Sequence, residues 1–328
     1  SFVSRGLGDV YKRQVIFQMD NFEKINKKTD STYLLAKESL MRNFPTFHLH
    51  PDNVHICENE IILNCSILTL SEKNEIFFNE QKIKKKINDF DFFFIRQDPP
   101  FNMNYVTNTY LLELVKKCEN SEKPFFINSP TGIRNFTEKI FPLYFKNIIP
   151  KTYITKNEKL IKTIVSQYGE VVVKPLYDKG GAGVDIVSSK NTQGTEILKR
   201  ITENFNEQII LQEFLMKVQK GDKRVILFDG EPVGCVNRVP KKGSFKANLH
   251  LGGIAEKTTL SKKEAAICKE IRPYLLENNF FFVGIDIIDE KLTEINVTSP
   301  TGLVQINQLY KTQIEKKFWD SLIKKFSD

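Results

Sequence analysis

Phe281-Phe-Val-Gly-Ile-Asp-Ile-Ile-Asp-Glu-Lys-Leu-Thr-Glu-Ile-Asn-Val-Thr-Ser-Pro-Thr-Gly302 contains two apolar runs, Phe281 to Ile288 and Leu292 to Val297, around a short polar turn. That pattern predicts a β-hairpin. Side chains alternate across a strand, so Val283, Ile285 and Ile287 share one face with Asp286 on the other, while Glu294 and Asn296 lie together on the second strand. With Asp289-Glu290-Lys291 as the loop, Asp286 falls opposite Glu294 and Ile285 opposite Ile295. Like charges facing each other across a sheet are costly unless a cation sits between them. Two carboxylates and an amide are hard oxygen donors of the kind that suit Mg²⁺. A surface hairpin with scattered acids is the other reading these residues allow by themselves.

Working outward, strand and helix patterns alternate. Val15–Met19 is a short apolar strand, and Asp30-Ser31 can cap a helix starting near Ser31. A Phe-rich strand at 91–96 ends in Pro99-Pro100, Tyr105–Lys117 has apolar residues at helical spacing, and Phe125–Asn128 is a further strand. This alternation predicts an α/β domain with a largely parallel sheet. Val171–Pro175 runs into Asp178-Lys-Gly-Gly-Ala-Gly183, with a return strand at 184–188. A third region opens at Ile209–Phe214, and Asp229-Gly230 is a hairpin turn between strands at 225–228 and 232–239. A helix follows from about Ser261 to Asn278. The repeated Ser-Pro-Thr-Gly at 129–132 and 299–302 has no flanking similarity and is read as coincidence.

The hairpin is similar to the metal-binding end of the ATP-grasp ligases, and in particular resembles the bacterial glutathione synthetase family. The likeness runs in order through Phe17-Gln-Met-Asp20, Arg96-Gln-Asp-Pro-Pro-Phe101, Thr137-Glu-Lys-Ile-Phe141, Val173-Lys-Pro175, Gly180-Gly-Ala-Gly183, Gln212-Glu-Phe214, Gly221-Asp-Lys-Arg224, Arg238, Asn248 and Gly252-Gly253. It covers nearly the whole chain from Val15. The resemblance implies a Rossmann-like substrate-binding domain at 15–128, a central ATP-grasp lobe at 129–202 and a C-terminal lobe with the metal site at 203–328. Residues 1–14 lie outside it. They lack the apolar core of a secretory signal and are expected to be a cloning or assembly scar.

The expected reaction joins γ-glutamylcysteine and glycine with ATP, forming ADP and phosphate through an acyl phosphate. Phosphoryl transfer is mostly positioning and charge neutralisation, so lysines, arginines, backbone N–H donors and Mg²⁺ (with Mn²⁺ able to replace it) are the parts to find. Gly180, Gly181 and Gly183 offer a loop that can approach phosphate oxygens, although a glycine-rich hairpin turn reads the same way. No Gly-Lys-Ser/Thr follows, so it is not a Walker A loop. Lys174, inside an apolar strand, is assigned to the phosphates, and Lys139 joins it by resemblance alone. Resemblance also assigns Gln212, Glu213, Phe214 and Leu215 to the adenine and Asp222 to the ribose. Arg224 and Arg238 are read as the catalytic cations. Asn248 with Gly252 and Gly253 resembles a loop that shields the acyl phosphate from water. Asp286, Glu294 and Asn296 are the metal ligands. Arg96, Ser299 and Thr301, with Asp20 and Ser31 as further candidates, are assigned to the dipeptide.

Asn102 stands where the family usually has Asp, Ile254 where a basic residue is often found, and Val304-Gln305 where Arg-Glu is frequent. These departures touch substrate affinity and loop closure, not the lysine and metal positions. Two alternatives remain: another carboxylate–amine ligase of the glutamate-ligase type, or a nucleotide-binding module without catalysis.

Composition sets the remaining bounds. The net charge of +8 fits a basic cleft for a polyanion. Clustered Lys/Arg with interleaved aromatics is missing, so no nucleic-acid partner is expected, and the Lys82–Lys86 run is read as one solvated helix face. No apolar stretch reaches membrane-spanning length. Five cysteines, Cys57, Cys65, Cys118, Cys235 and Cys268, without paired spacing suggest buried, reduced thiols in a cytoplasmic protein. The resemblance further implies a homo-oligomer.

Overall fold

The computed structural model describes residues 12–118, 122–177, 183–190, 193–241, 243, 247 and 252–326. The first sheet is built from β1 (Val15–Gln18), β2 (Thr46–Leu49), β3 (Val54–Cys57), β4 (Glu60–Leu70), β5 (Ile76–Lys86), β6 (Phe92–Ile95) and β7 (Phe125–Ile127). β2, β1, β6 and β7 run parallel, while β3, β4 and β5 form an antiparallel extension. The expectation of a largely parallel sheet therefore holds for its middle only. Lys82–Lys86 belongs to edge strand β5, not to a helix. Lysines on an exposed edge oppose pairing with another chain, which accounts for the run.

β1 and β6 are continuous apolar runs because both faces of the parallel part are covered. Phe17 stacks on Phe94 at 4.4 Å on the side of α1 (Ser31–Met41), and Phe94 also meets Trp319. Ile16, Phe93 and Ile95 face the other way, in a core shared with Leu112 of α2 (Met103–Cys118) and Ile133 of α3 (Pro130–Asn135). Asp30 caps α1 through the Tyr33 N–H at 2.7 Å. Asn102 Oδ1 accepts from Tyr105 N at the start of α2, a capping task that Asn and Asp perform about equally well. This departure from the family pattern keeps its local role.

The second sheet, in the order β10 (Asp185–Ser188), β9 (Glu170–Pro175), β11 (Ile209–Glu213), β8 (Thr152–Thr155), is antiparallel. It packs on α4 (Glu158–Tyr168) and α5 (Gly194–Ile201) around its own core. β11, read from sequence as opening the third region, belongs here. The third sheet runs β14 (Ile254–Glu256), β13 (Glu231–Val239), β12 (Asp222–Phe228), β15 (Phe282–Ile288), β16 (Lys291–Asn296). One of its faces packs on α6 (Lys262–Glu277) and on the α2 side of the first sheet. The other packs on α7 (Leu303–Tyr310) and α8 (Ile314–Lys325). Asn128 joins the first and third sheets. Its amide donates to Phe282 O and Val297 O at 2.7 Å each and accepts from the N–H groups of Phe281 and Phe282.

Cys65, Cys235 and Cys268 are buried thiols, as expected, but Cys57 is exposed at the end of β3. The Cys118 side chain lies outside what is described. Among the described residues, no helix is long and apolar enough to cross a membrane.

Candidate active site

The β15–β16 hairpin pairs Asp286 with Glu294 and Ile285 with Ile295. Its turn is tighter than the three residues expected. Asp289 and Glu290, both with left-handed φ, make a two-residue turn, and Lys291 already pairs with Ile288. A bulge at Thr293 takes up the extra residue and restores the expected register at the acids. Thr293 Oγ1 donates to Asp286 O at 3.1 Å.

On its other edge β15 meets β12, which sets Arg224 beside Asp286, and β13 sets Arg238 beside Asp222. Asp286 accepts from Arg224 Nε at 2.5 Å and Nη2 at 2.8 Å, and from Arg238 Nη2 at 2.9 Å. Arg238 also donates to Asp222 Oδ2 at 2.5 Å. The result is one chain, Asp222–Arg238–Asp286–Arg224, buried except for the partly exposed Asp222, whose charges are tolerable inside the protein only because they are paired. Burial alone would raise the Asp286 carboxyl, but the two guanidiniums outweigh it and hold it far below the usual carboxylate range. Burial pushes Asp222 up to about 7 in spite of Arg238, and the charge of Asp286 adds to the rise.

Two cavities meet at this chain. The first, of about 780 Å³, lies between the second and third sheets. Gln212, Glu213, Phe214, Leu215, Asp222, Lys174, Glu294, Arg238 and Asp286 line it, with Val172, Val184 and Ile288 as apolar walls. Lys174 Nζ on β9 stands 3.8 Å from Glu294 Oε1 on β16, so these two expected site residues face each other across the cleft. Glu213 is held by Lys151 N and by Lys291, and Gln212 donates to Thr152 Oγ1. Lys139 is buried in the turn that follows α3, 2.5 Å from Glu138 Oε1, and does not line the cleft. Gly183 has φ +67°, and Gly252 has φ +91° with the Lys241 side chain packed over it. Gly253 follows it directly. Gly180, Gly181 and Asn248 lie outside the described residues.

The second cavity, of about 1330 Å³, opens at the carboxyl ends of β1 and β6, where parallel sheets place ligands. Asp20, Arg96, Asp98, Glu138, Arg224, Asn296, Ser299 and Thr301 are among its walls. Arg96 is buried, donating to Thr32 Oγ1 and Pro300 O, and burial lowers its guanidinium to about 10. Its Nη1 is buried without a partner and is suited to a ligand's carboxylate. Ser299 Oγ donates to Asp98, and the Asp98 N–H donates to Asp20 Oδ2.

Ser31 does not line this cavity. It is fully buried, and its Oγ accepts from Gly302 N and Leu303 N, which makes it a tie between α1 and the start of α7. Sequence reasoning also passed over Asp98 and Glu138, although both stand inside the motifs it quoted.

Asp222 Oδ1 is buried without a partner beside the first cavity, an acceptor suited to a sugar hydroxyl. For a metal the fit is narrower than expected. Among the described residues no three His, Cys, Asp or Glu side chains group as ligands. Asp286 gives both oxygens to arginines, and Asn296 uses its Nδ2 on Gly284 O. This donor set suits a cation held largely by phosphate oxygens, not one enclosed by protein ligands.

Residues 14–134 match the family model of the prokaryotic glutathione synthetase N-terminal domain, and residues 138–311 that of the prokaryotic glutathione synthetase ATP-grasp domain. The chain belongs to the prokaryotic glutathione synthetase family. It is 38% identical over 314 residues to the glutathione synthetase of Agrobacterium fabrum, covering 95% of this chain and 97% of that one. With the Mesorhizobium japonicum glutathione synthetase it shares 36% over 312 residues, covering 95% and 98%. The crystal structure of the macrocyclase MdnC with its precursor peptide has a similar fold, with a TM-score of 0.61 at 14% identity, covering 95% of this chain and all of that one.

Proposed function

We propose that this chain is an ADP-forming ligase that makes glutathione from γ-glutamylcysteine and glycine. The observation that carries this reading is the meeting of two cavities at the Asp222–Arg238–Asp286–Arg224 chain, in a member of this family. ATP occupies the first cavity, with its base between Val172 and Ile288 against Gln212–Leu215, its ribose at Asp222 and its phosphates toward Lys174. The dipeptide occupies the second, with a carboxylate on the unpartnered Nη1 of Arg96.

The cysteinyl carboxylate attacks the γ-phosphorus, the bond to the β-phosphate oxygen breaks, and ADP leaves. Arg238 lines the first cavity and Arg224 the second, and together they stabilise the charge that develops on the transferring group. The glycine amine, having lost a proton, attacks the acyl carbon. The C–N bond forms, phosphate leaves with the C–O electron pair, and the second proton is lost from nitrogen. Mg²⁺, with Mn²⁺ as a substitute, would neutralise phosphate charge when bound by Glu294, Asn296 and Asp286.

We further propose three units that follow the sheets, with the second boundary placed after Glu213 so that β11 stays in its sheet. Buried free thiols support a cytoplasmic location. A homo-oligomer, expected from resemblance, is tested by light scattering. The function is tested by ADP release with Mg²⁺-ATP and γ-glutamylcysteine, with and without glycine, and by the mass of the product. Glycine-dependent ADP with a tripeptide mass supports the reading, and no dipeptide-dependent ADP overturns it.

A further inference from the structure

The tip of the β15–β16 hairpin carries three charged residues in a row, and each finds an opposite charge on a different element. Asp289 pairs with Lys217 at 2.5 Å, Glu290 with Lys263 at 2.9 Å, and Lys291 with Glu213. The first two pairs lie on the surface. The third reaches the first cavity through Glu213, which lines it, although Lys291 itself does not. Lys291 is the first residue of β16 and pairs with Ile288, an apolar wall of that cavity, so the hairpin brings its ammonium to the end of β11. Glu213 is gripped at one oxygen only. Oε1 accepts from Lys291 Nζ and, at 3.1 Å, from Lys151 N, while Oε2 has no partner among the described residues. The main chain is fixed as well, because Glu213 N donates to Lys151 O at 3.0 Å. Burial raises the Glu213 carboxyl, but the Lys291 ammonium and the Lys151 N–H outweigh it and hold it below its ordinary value.

We propose that Lys291 is a positioning residue for base selection: by holding Oε1 it turns Oε2 of Glu213 toward the cleft, where it accepts from an amino group at position 6 of a purine. The chemistry of that oxygen decides the base. An ionised carboxylate only accepts hydrogen bonds. Adenine offers its N6 amino group, whereas guanine and hypoxanthine carry an oxygen at the same place. Two acceptors would then face each other with no proton between them, and both would lose their water. A carboxylate free to rotate would keep a water partner and select less. Lys291 touches no atom of the nucleotide in this arrangement and acts only through Glu213.

The inference rests on the placement of ATP in the first cavity, and it is read from binding, apart from the ligase reaction. ATP and ITP, whose base is hypoxanthine, are titrated calorimetrically into wild type, Lys291→Met, Lys291→Arg and Lys217→Met. Wild type should bind ATP more tightly than ITP. Lys291→Met should lose about three- to tenfold of that preference, through weaker ATP binding, the effect of one charge-assisted hydrogen bond left poorly aimed at a partly exposed site. Lys291→Arg keeps the charge and should restore the preference to within about twofold of wild type. Lys217→Met breaks only a neighbouring surface pair, which is worth little, and should leave the preference unchanged. In initial-rate assays Lys291→Met should raise the KM for ATP by the same factor, with kcat and the dipeptide KM within about twofold of wild type. Equal binding of ATP and ITP by wild type, or an unchanged preference in Lys291→Met, overturns the proposal. Equal weakening of both nucleotides does so too, since Lys291 would then be a structural tie. An equal loss in Lys217→Met would assign the effect to the hairpin tip as a whole and overturn it as well. Wild type that prefers ATP but forms no tripeptide refutes the ligase reading alone.

Discussion

Replacing Asp286 by Asn keeps the shape of the side chain and removes the charge shared by Arg224 and Arg238. The wild-type carboxylate accepts three short hydrogen bonds and is almost wholly buried. Breaking a buried ion pair from one side costs about 3–5 kcal/mol, because the remaining charges are left without compensation. For 328 residues the entropy of unfolding is about 0.7 kcal/mol/K, so Asp286→Asn should lower Tm by about 4–7 °C. Asp222→Asn should behave differently, although Asp222 touches the same Arg238. The Asp222 carboxyl is raised from 3.8 to about 7, so the fold favours its protonated form. Its contribution is therefore fully present below about pH 4 and lost as pH rises toward 7, about 4 kcal/mol over that interval. Asp286, held low, contributes in the opposite sense: its stabilisation is present above the ordinary carboxylate pKa and is lost only in acid. Calorimetry in metal-free buffer at pH 5.5 and 8.5 compares the two variants. Asp222→Asn should gain on wild type as pH rises, while Asp286→Asn stays well below it at both values. Equal losses for both variants at pH 8.5 would refute the reasoning, since the ionised Asp222 would then stabilise the fold as much as Asp286 does.

Other substitutions test separate parts of the site. Lys174→Met should raise the KM for ATP about 10- to 100-fold and leave the dipeptide KM nearly unchanged, as measured by initial rates. Arg96→Lys replaces a fork held by Thr32 and Pro300 with a single ammonium, so the dipeptide KM should rise at least about tenfold with little change for ATP. An equal rise for both substrates would count against Arg96 as a dipeptide contact. Asn128→Ala leaves two main-chain N–H groups and two carbonyls without their partner, and urea unfolding should show a loss of about 4 kcal/mol or more. A loss below about 1 kcal/mol would mean that water replaces the amide.

Local patterns carried much of this architecture. The hairpin at 281–297, the cap at Asp30, the Asp229-Gly230 turn and the strand positions of Arg224 and Arg238 follow from period-two alternation and turn chemistry within a few residues. The antiparallel β3–β5 extension was less legible, because an edge strand rich in lysine has little apolar alternation, and its partner β4 is identified only by pairing. β11 was assigned to the wrong sheet for a related reason. A buried apolar strand reads the same whichever neighbours it joins.

By itself the sequence determined the 281–297 hairpin, the cap of α1 and the Asp229-Gly230 turn, and that Asp286 and Glu294 would oppose each other. Those outcomes depend on side-chain period and turn residues close together in the chain. Only the tertiary structure decided what the charges do. It set two arginines from other strands on Asp286, left Asp222 Oδ1 and Arg96 Nη1 without partners, withdrew Ser31 into a tie with α7, and brought Glu138 to the wall of the cavity at the carboxyl ends of β1 and β6. Desolvation and Coulomb pairing act through space, so the state of a buried group is fixed by neighbours that are distant in sequence.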